Sequence, residues 1–331
     1  MEAAMAFEHI SVLYNEVLDG LHLHEGGIWV DGTVGGGGHS KGILTACGKN
    51  AKLIAVDQDA NALAAAKERL SEWDGQVVVV HDNFVHLPQI IKHYAPDGVD
   101  GILLDIGVSS PQIDQPERGF SYMHDAPLDM RMNPDVALDA RIVVNTYSED
   151  ALEYILREYG EEKWARRIAK IICERRALLP IETTFQLVDC VERAIPKAKR
   201  EAHSHVAKRT FQAVRIEVNG ELKVLEDVID AASDCLKPGG RMAIISFHSL
   251  EDRIVKNHFR YLASDCVCPP EAPVCTCDKV ATVKLITRKP VTAGKEECEA
   301  NPRAASAKLR IIEKIEPKPK KNHPTTWMSL T

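Results

Sequence analysis

The sequence predicts an α/β fold: a parallel sheet interrupted, between its fourth and fifth strands, by an all-helical insertion of roughly 100 residues. Three observations carry that expectation. Short apolar runs alternate with helical stretches over the first third of the chain. The strand signal then vanishes from about Ser148 to Ile195, where amphipathic stretches rich in Arg, Lys and Glu take over. It returns at Met242-Ala243-Ile244-Ile245-Ser246, an apolar run long enough for one buried strand.

In chain order, Ile28-Trp29-Val30-Asp31 is the first buried-type strand, followed by a glycine loop and a helix from about Ser40 to Cys47. Leu53-Ile54-Ala55-Val56-Asp57 is the second, and the Ala, Leu, Lys and Glu between Ala60 and Leu70 favour a helix. Val77 to Val80 and Gly101 to Asp105 supply strands three and four, apolar on both faces as a sheet covered by helices requires. Residues 112–140, with several Pro and Asp and no clear period, are expected to be a long ordered loop. A long helix near Glu221 is expected to break at Lys237-Pro238-Gly239-Gly240, before strand five. Val283 to Thr287 and Leu309 to Ile315 read as an antiparallel pair completing the sheet, and the lysines and prolines after them as a flexible end. The expected domains are therefore 1–111 with 216–331, and the inserted 112–215.

Hydrophobic residues at 45% and charged residues at 27% place the chain among soluble globular proteins, and no apolar run approaches the ~20 residues of a membrane span. The N-terminus MEAAMAFEHI lacks the basic and apolar regions of a signal peptide, so a cytosolic protein is expected. Nine scattered cysteines, an odd number, argue against a disulfide framework. Four of them form C-x-C-x6-C-x-C at Cys266, Cys268, Cys275 and Cys277. Four thiolates suit a structural zinc, but the one-residue gap is shorter than usual, and a reduced loop without metal is the competing assignment, so no metal is assigned. The net charge is −7, yet 161–220 holds 13 Lys+Arg against 8 Asp+Glu, a local +5 that leaves −12 on the rest. A basic region on an acidic protein suits an RNA footprint, or else a set of solvated helix faces.

The sharpest local signal is Val30-Asp31-Gly32-Thr33-Val34-Gly35-Gly36-Gly37-Gly38-His39-Ser40: a buried strand, five glycines, then a helix. Glycine permits positive φ and lets backbone approach a ligand closely. Asp57 ends the second strand 19 residues after Gly38, where an acid can accept bonds from two adjacent ribose hydroxyls. This geometry serves dinucleotides and S-adenosylmethionine alike. Three features favour the second: Asp82-Asn83-Phe84 after strand three, where class I methyltransferases surround the adenine; the Leu236–Gly240 turn; and Asp105-Ile106-Gly107-Val108-Ser109-Ser110-Pro111-Gln112, where amino-methyltransferases carry their catalytic loop.

With Asp31–Ser40 and Asp105–Gln112, the runs Arg118–Tyr122, Pro127–Met132, Arg209–Asn219 and Ile245–Arg253 resemble the RsmH (MraW) family of bacterial small-subunit ribosomal RNA cytosine-N4 methyltransferases. The similarity runs from about Phe7 to Arg310. It implies a class I, Rossmann-like methyltransferase sheet, with S-adenosylmethionine held by Gly37, Gly38, His39, Asp57, Phe84, Asp105 and Gln112. It also implies a substrate cytosine in the decoding region of 16S ribosomal RNA, within an assembled or nearly assembled small subunit. One departure is Ala305, where the family usually carries Arg, so one phosphate contact is missing if that Arg touches RNA.

An exocyclic amine needs positioning and hydrogen-bond acceptors rather than a covalent intermediate. Asp105, Ser109, Ser110 and Pro111 are the candidate catalytic residues, through carboxylate, hydroxyl or backbone carbonyl oxygens, with Asp105 alternatively serving the cofactor alone. The loop holds no cysteine of the kind a carbon-5 cytosine methyltransferase requires. The expected RNA grip is Arg166, Arg167, Lys170, Lys197, Lys199, Arg200, Lys208 and Arg209. His248 is a candidate near the substrate or a structural histidine, and Asn219 with Arg215 a candidate brace between insertion and core. A nicotinamide-dependent oxidoreductase or a non-catalytic RNA-binding assembly factor are the alternatives, and the oligomeric state, homodimer included, stays open.

Overall fold

The computed structural model describes residues 11–316 apart from 201–204, 270–271 and 273–274, with the side chains of Ser110 and Pro111 also outside the described part. The expectations for the first ten residues and for the lysine-rich end after 316 lie outside it. Seven strands, β1 (Ile28–Asp31), β2 (Lys52–Asp57), β3 (Val77–His81), β4 (Val99–Asp105), β5 (Leu236–Ser246), β6 (Val283–Leu285) and β7 (Lys308–Lys314), form one sheet in the order β3-β2-β1-β4-β5-β7-β6. The first five are parallel; β7 runs antiparallel between β5 and β6. The expected tail pair therefore forms, with Val283 opposite Lys314 and Leu285 opposite Ile312.

Alternate side chains of the central strands enter opposite layers. Val30, Ile54, Val56, Ile102, Leu104, Met242 and Ile244 are buried on one face. Trp29, Leu53, Ala55, Leu103, Ala243 and Ile245 are buried on the other. Helices cover both: α1 (Tyr14–Leu21), α2 (Gly38–Cys47) and α3 (Ala60–Arg69) contribute to the second layer, α4 (Leu87–Tyr94) to the first.

Every described element between β4 and β5 is helical, with the α-helices α5 (Ser110–Asp114), α6 (Ala140–Thr146), α7 (Glu149–Glu158), α8 (Ala165–Leu178), α9 (Thr184–Ala194), α10 (Lys208–Asn219) and α11 (Glu221–Asp234). Starts are written in the sequence: Asp139, Ser148 and Thr183 each cap a helix through the side chain, Thr183 in a reciprocal box with Gln186. α6 to α10 enclose an apolar cluster of their own, including Val143, Leu156, Ile168, Leu187, Val191 and Phe211. α10 runs through the 215/216 boundary expected from the sequence, which links insertion and sheet by a continuous helix. α12 (Ser249–Leu262) joins α11 on the first face, and α13 (Lys295–Ala300) precedes β7.

Two expectations are corrected. The loop after β4 opens with the one-turn α5, because the Ser109 hydroxyl accepts the backbone N–H of Gln112 at 3.4 Å and Pro111 needs no N–H partner in a first turn. Lys237-Pro238-Gly239-Gly240 is not a break before the strand but a bulge within it: pairing with β4 jumps from Val99–Leu236 to Gly101–Arg241, and Gly239 takes φ of 83°. No helix among the described residues is long and apolar enough to cross a membrane.

Candidate active site

The C-terminal ends of β1, β2, β4 and β5 open onto one cleft of about 2060 Å³, where a parallel sheet of this kind presents its ligands. At the end of β1, Asp31 is buried: its carboxylate accepts the Ser40 hydroxyl at 2.7 Å and the Thr33 N–H at 3.2 Å, stapling the glycine turn to α2. Burial, partly offset by those bonds, pushes its pKa up to about 6.

Gly35, Gly36, Gly38 and His39 line the cleft, whereas Gly37 turns toward α3. Gly37 has φ of 75°, and a Cβ there would lie 3.4 Å from the Ala66 backbone, so it shapes the turn. At Gly36 a Cβ would meet nothing within 4 Å: the open space on that side is the cleft.

Asp57 lies at the cleft wall, its two oxygens accepting the N–H groups of Gly35 and Asp59, each at 2.9 Å. The carboxylate thus holds the glycine turn against β2 at the cleft wall. Phe84 follows β3, half-buried, with one side on the first apolar layer and the other on the cleft. Core packing and ligand contact are compatible here.

Gln112 is buried and belongs to a polar latch that ties α5 to the start of α3 at the cleft wall. Its Nε2 donates to Asp59 Oδ2 at 3.0 Å, while its Oε1 accepts the Ser109 N–H at 3.0 Å. Arg118 donates to the same Asp59 oxygen at 2.9 Å and to the carbonyls of Arg131 and Met132 at 3.0 and 3.1 Å. Burial would raise the Asp59 pKa, but the bonds from Gln112 and Arg118 and the guanidinium charge hold it below the ordinary carboxylate range. Asp59 and Arg118 are site-building residues that sequence reasoning missed. Their partners are 53 and 59 positions away, so no local pattern announces them.

Asp105, at the end of β4, donates its N–H to the Thr33 hydroxyl at 2.6 Å, which fixes its place beside the glycine turn. Its Oδ2 lies 3.9 Å from His39 Nδ1, and the His39 Nε2 sits 3.0 Å from the Val12 carbonyl, so that nitrogen carries a proton. Oδ1 is shielded from solvent and has no hydrogen-bond partner among the described residues. Burial first, then the Asp31 and Glu251 carboxylates, push the Asp105 pKa up to about 8. With Oδ1 shielded, the remainder of the side chain, 26% exposed, is the part that reaches the cleft and can accept a ligand N–H or O–H. Ser109 lines the cleft next to it, while Ser110 and Pro111 start α5, their side chains outside the described residues.

The far wall comes from the insertion and from β5. Phe120, Tyr122 and Phe211 reach the cleft, with Tyr122 stacked on His205 at 4.4 Å and edge-on to Phe211 at 5.6 Å. His248 lines the cleft and caps α12; its Nδ1 accepts the Glu251 N–H at 3.4 Å, and the Glu251 side chain returns bonds to the Phe247 and His248 N–H groups. This is a structural histidine placed at the substrate side. Glu221, His248 and Glu251 approach one another closely, and Arg215, paired with both oxygens of Glu221 at 2.9 Å, supplies the positive charge there. Asn219 does brace the insertion: Oδ1 accepts the Met132 N–H at 2.8 Å and Nδ2 donates to the Met130 carbonyl at 2.9 Å.

The eight basic candidates divide. Arg166, Arg167, Lys170, Lys197, Lys199 and Lys208 are exposed. Arg200 is spent on the carbonyls of Glu192 and Ile195 at the end of α9, and Arg209 donates to the Glu161 carbonyl.

Residues 6–315 match the model of the MraW methylase family. A protein of Clostridioides difficile (strain 630) named ribosomal RNA small subunit methyltransferase H is 54% identical over 94% of this chain and 100% of its own length. Its namesakes in Citrifermentans bemidjiense and Heliobacterium mobile are 54% and 53% identical, over 93% and 94% of this chain and 99% and 100% of theirs. Among solved structures, an rRNA methylase from Streptococcus thermophilus aligns at 12% identity and a TM-score of 0.41, over 93% of this chain and 99% of that one.

Proposed function

The chain belongs to the MraW methylase family, and from that premise we propose that it methylates the exocyclic N4 amine of a cytosine in the decoding region of 16S ribosomal RNA. As a family member it is an S-adenosylmethionine-dependent methyltransferase of small-subunit ribosomal RNA; the base and the reacting atom are the added step. The observation that carries this step is the Asp105 carboxylate at the cleft, its side chain 26% exposed and its backbone pinned beside the glycine turn.

S-adenosylmethionine supplies a methyl group activated by a sulfonium. The chain fits it: an open glycine turn at Gly35, Gly36 and Gly38, a carboxylate at Asp57, an aromatic face at Phe84, and Gln112 held in the cleft wall by Asp59. In this reading Gly37 acts by shaping the turn and His39 by presenting Nδ1 toward Asp105.

The N4 lone pair is delocalised into the pyrimidine ring, so the amine must be turned and held for attack. In its ionised form, the minor one at neutral pH with the pKa pushed up to about 8, Asp105 would accept one N–H of that amine and take up its proton as the nitrogen gains the methyl group and the sulfur leaves as a neutral thioether. The Ser109 hydroxyl and the backbone carbonyls of Ser109, Ser110 and Pro111 are the further acceptors on this side. The target base is drawn out of its stack, and Phe120, Tyr122 and Phe211 offer it apolar and aromatic surface. Residues 112–215 act as the RNA-recognition unit, and 1–111 with 216–331 as the methyltransferase unit; the small subunit, assembled or nearly so, is the partner.

The test is methyl transfer from labelled S-adenosylmethionine to small subunits taken from cells lacking this protein, followed by nucleoside analysis. N4-methylcytidine is the expected product, and label in any other nucleoside overturns the assignment. Asp105→Ala separates the two roles of that carboxylate. Turnover lost with cofactor affinity kept supports the acceptor role, and affinity lost in proportion to turnover assigns Asp105 to the cofactor.

A further inference from the structure

Among the described residues between α12 and β6, Ala281 is the one buried apolar side chain. Val267 is 51% exposed, and Cys266 and Cys275 are exposed as well. At its base, Thr282 N–H donates to the Leu262 carbonyl at 3.0 Å and Ala281 N–H to Asp265 Oδ1 at 3.1 Å. Farther out, the two C-x-C arms face each other.

Their sulfurs form a compact tetrahedron. Cys266 and Cys275 Sγ are 3.5 Å apart, Cys268 and Cys275 3.9 Å, Cys275 and Cys277 3.6 Å, and Cys277 and Cys266 3.8 Å. All four lie within 4.8 Å of one another. A tetrahedral zinc with Zn–S bonds of about 2.3 Å sets its thiolates about 3.8 Å apart, the edge of that tetrahedron. The short C-x-C spacing, which weakens the sequence signal, is no obstacle: Cys275 and Cys277 already present their sulfurs one tetrahedral edge apart.

The surroundings suit thiolates. Cys268 N–H points at Cys266 Sγ at 3.3 Å and Val267 N–H at Cys277 Sγ at 3.4 Å, backbone donors that stabilise sulfur-borne charge. An iron–sulfur cube places each thiolate on a different iron and spreads the sulfurs farther than this. Paired disulfides would bring two sulfur pairs to bonding distance, about 2.05 Å, whereas the Sγ–Sγ distances given above are 3.5 Å or more.

We infer that Cys266, Cys268, Cys275 and Cys277 bind a single zinc ion as a structural site that fixes the segment between α12 and β6. No described residue of 263–282 lines the cleft, so the ion stands apart from the chemistry. Its binding free energy adds directly to the stability of the folded segment, since the metal-free ligands are not held together in the unfolded chain.

The experiment is metal analysis of the full-length protein purified without added chelator, with thiol titration before and after a strong chelator. One zinc per chain is expected, with four thiols that react only after chelation. Cobalt exchanged into the site should show thiolate-to-cobalt charge transfer and the intense visible bands of a tetrahedral tetrathiolate ion. Cys266→Ser combined with Cys277→Ser should lose the ion and become protease-sensitive in this segment while keeping methyl transfer; Cys298→Ser should keep the ion. Four readily reactive thiols without metal, bound iron in place of zinc, or zinc retained by the double variant would each overturn the inference. Should the double variant fail to fold, the wild-type stoichiometry and cobalt spectrum decide alone.

Discussion

At Asp105 the cost of burying a carboxylate and the need for an acceptor in the cleft pull in opposite directions. With its pKa pushed up to about 8 by burial and by Asp31 and Glu251, the native state holds a proton that the unfolded chain releases near the ordinary value of 3.8. The native state then binds more protons between these limits, so this group's contribution to stability falls as pH rises from about 4 to about 8. Asp105→Asn removes that slope. We expect the variant to melt with wild type at about pH 4 and to be more stable by several kcal/mol, about 6 at most, at about pH 9, with methyl transfer abolished. Parallel melting curves for the two proteins across this range would refute the buried-acid account. Gly36→Ala asks a complementary question. A Cβ there meets no protein atom within 4 Å, so folding should be unaffected and any penalty must come from the ligand. Calorimetry should show an unchanged melting temperature with S-adenosylmethionine affinity down by at least about tenfold, roughly 1.4 kcal/mol; undiminished affinity would mean that the cofactor keeps clear of the turn.

Between elements, the Arg118 guanidinium joins the cap of α3 at Asp59 to the carbonyls of Arg131 and Met132, while Gln112 ties α5 to the same cap. A lysine is a point charge and cannot span these acceptors. Arg118→Lys should therefore cost about 1–3 kcal/mol of stability and weaken cofactor binding, whereas it would be silent if the latch were decorative. Protonating Asp59 should open the same latch, and since its pKa lies below the ordinary range, that contribution is present at neutral pH and fades only in acid. This level of organisation marks the limit of what the sequence discloses. β1 to β4 and the glycine turn were legible because alternation of apolar runs with helical stretches is local. The tail strands were legible for the same reason. The bulge at Lys237–Gly240 was not: Pro and Gly signal a bend, but whether a bend ends a strand or buckles it depends on the neighbouring strand, here β4. α5 was hidden by its length of a single turn. Among the site residues, Asp57, Phe84, Asp105 and Gln112 converge on the cleft, while Thr33, Asp59 and Arg118 act through partners that only the folded chain brings near.

Taken over the whole molecule, an acidic protein must approach a polyanion through a restricted surface. The net charge is −7, so RNA binding depends on placing its cations away from the acidic remainder. The exposed Arg166, Arg167 and Lys170 lie on α8 and Lys197 just beyond α9, none of them lining the cofactor cleft, so they can be neutralised without disturbing it. Replacing these side chains with alanine should weaken binding to small-subunit RNA and flatten the dependence of log affinity on log salt by roughly 0.7–0.9 for each phosphate left without its cation, with cofactor affinity unchanged. Ala305 offers the opposite arm. It is exposed in a turn whose neighbours Arg303 and Ser306 line the cleft, so Ala305→Arg adds a cation beside the path of the substrate. Tighter binding with a steeper salt dependence is expected from it. If the four alanines leave the slope unchanged while Ala305→Arg steepens it, the RNA is gripped at the cleft mouth and the helical insertion has another task. If both shift in the expected senses, the substrate extends from the cleft across the insertion, and the acidic remainder serves to discourage every other orientation.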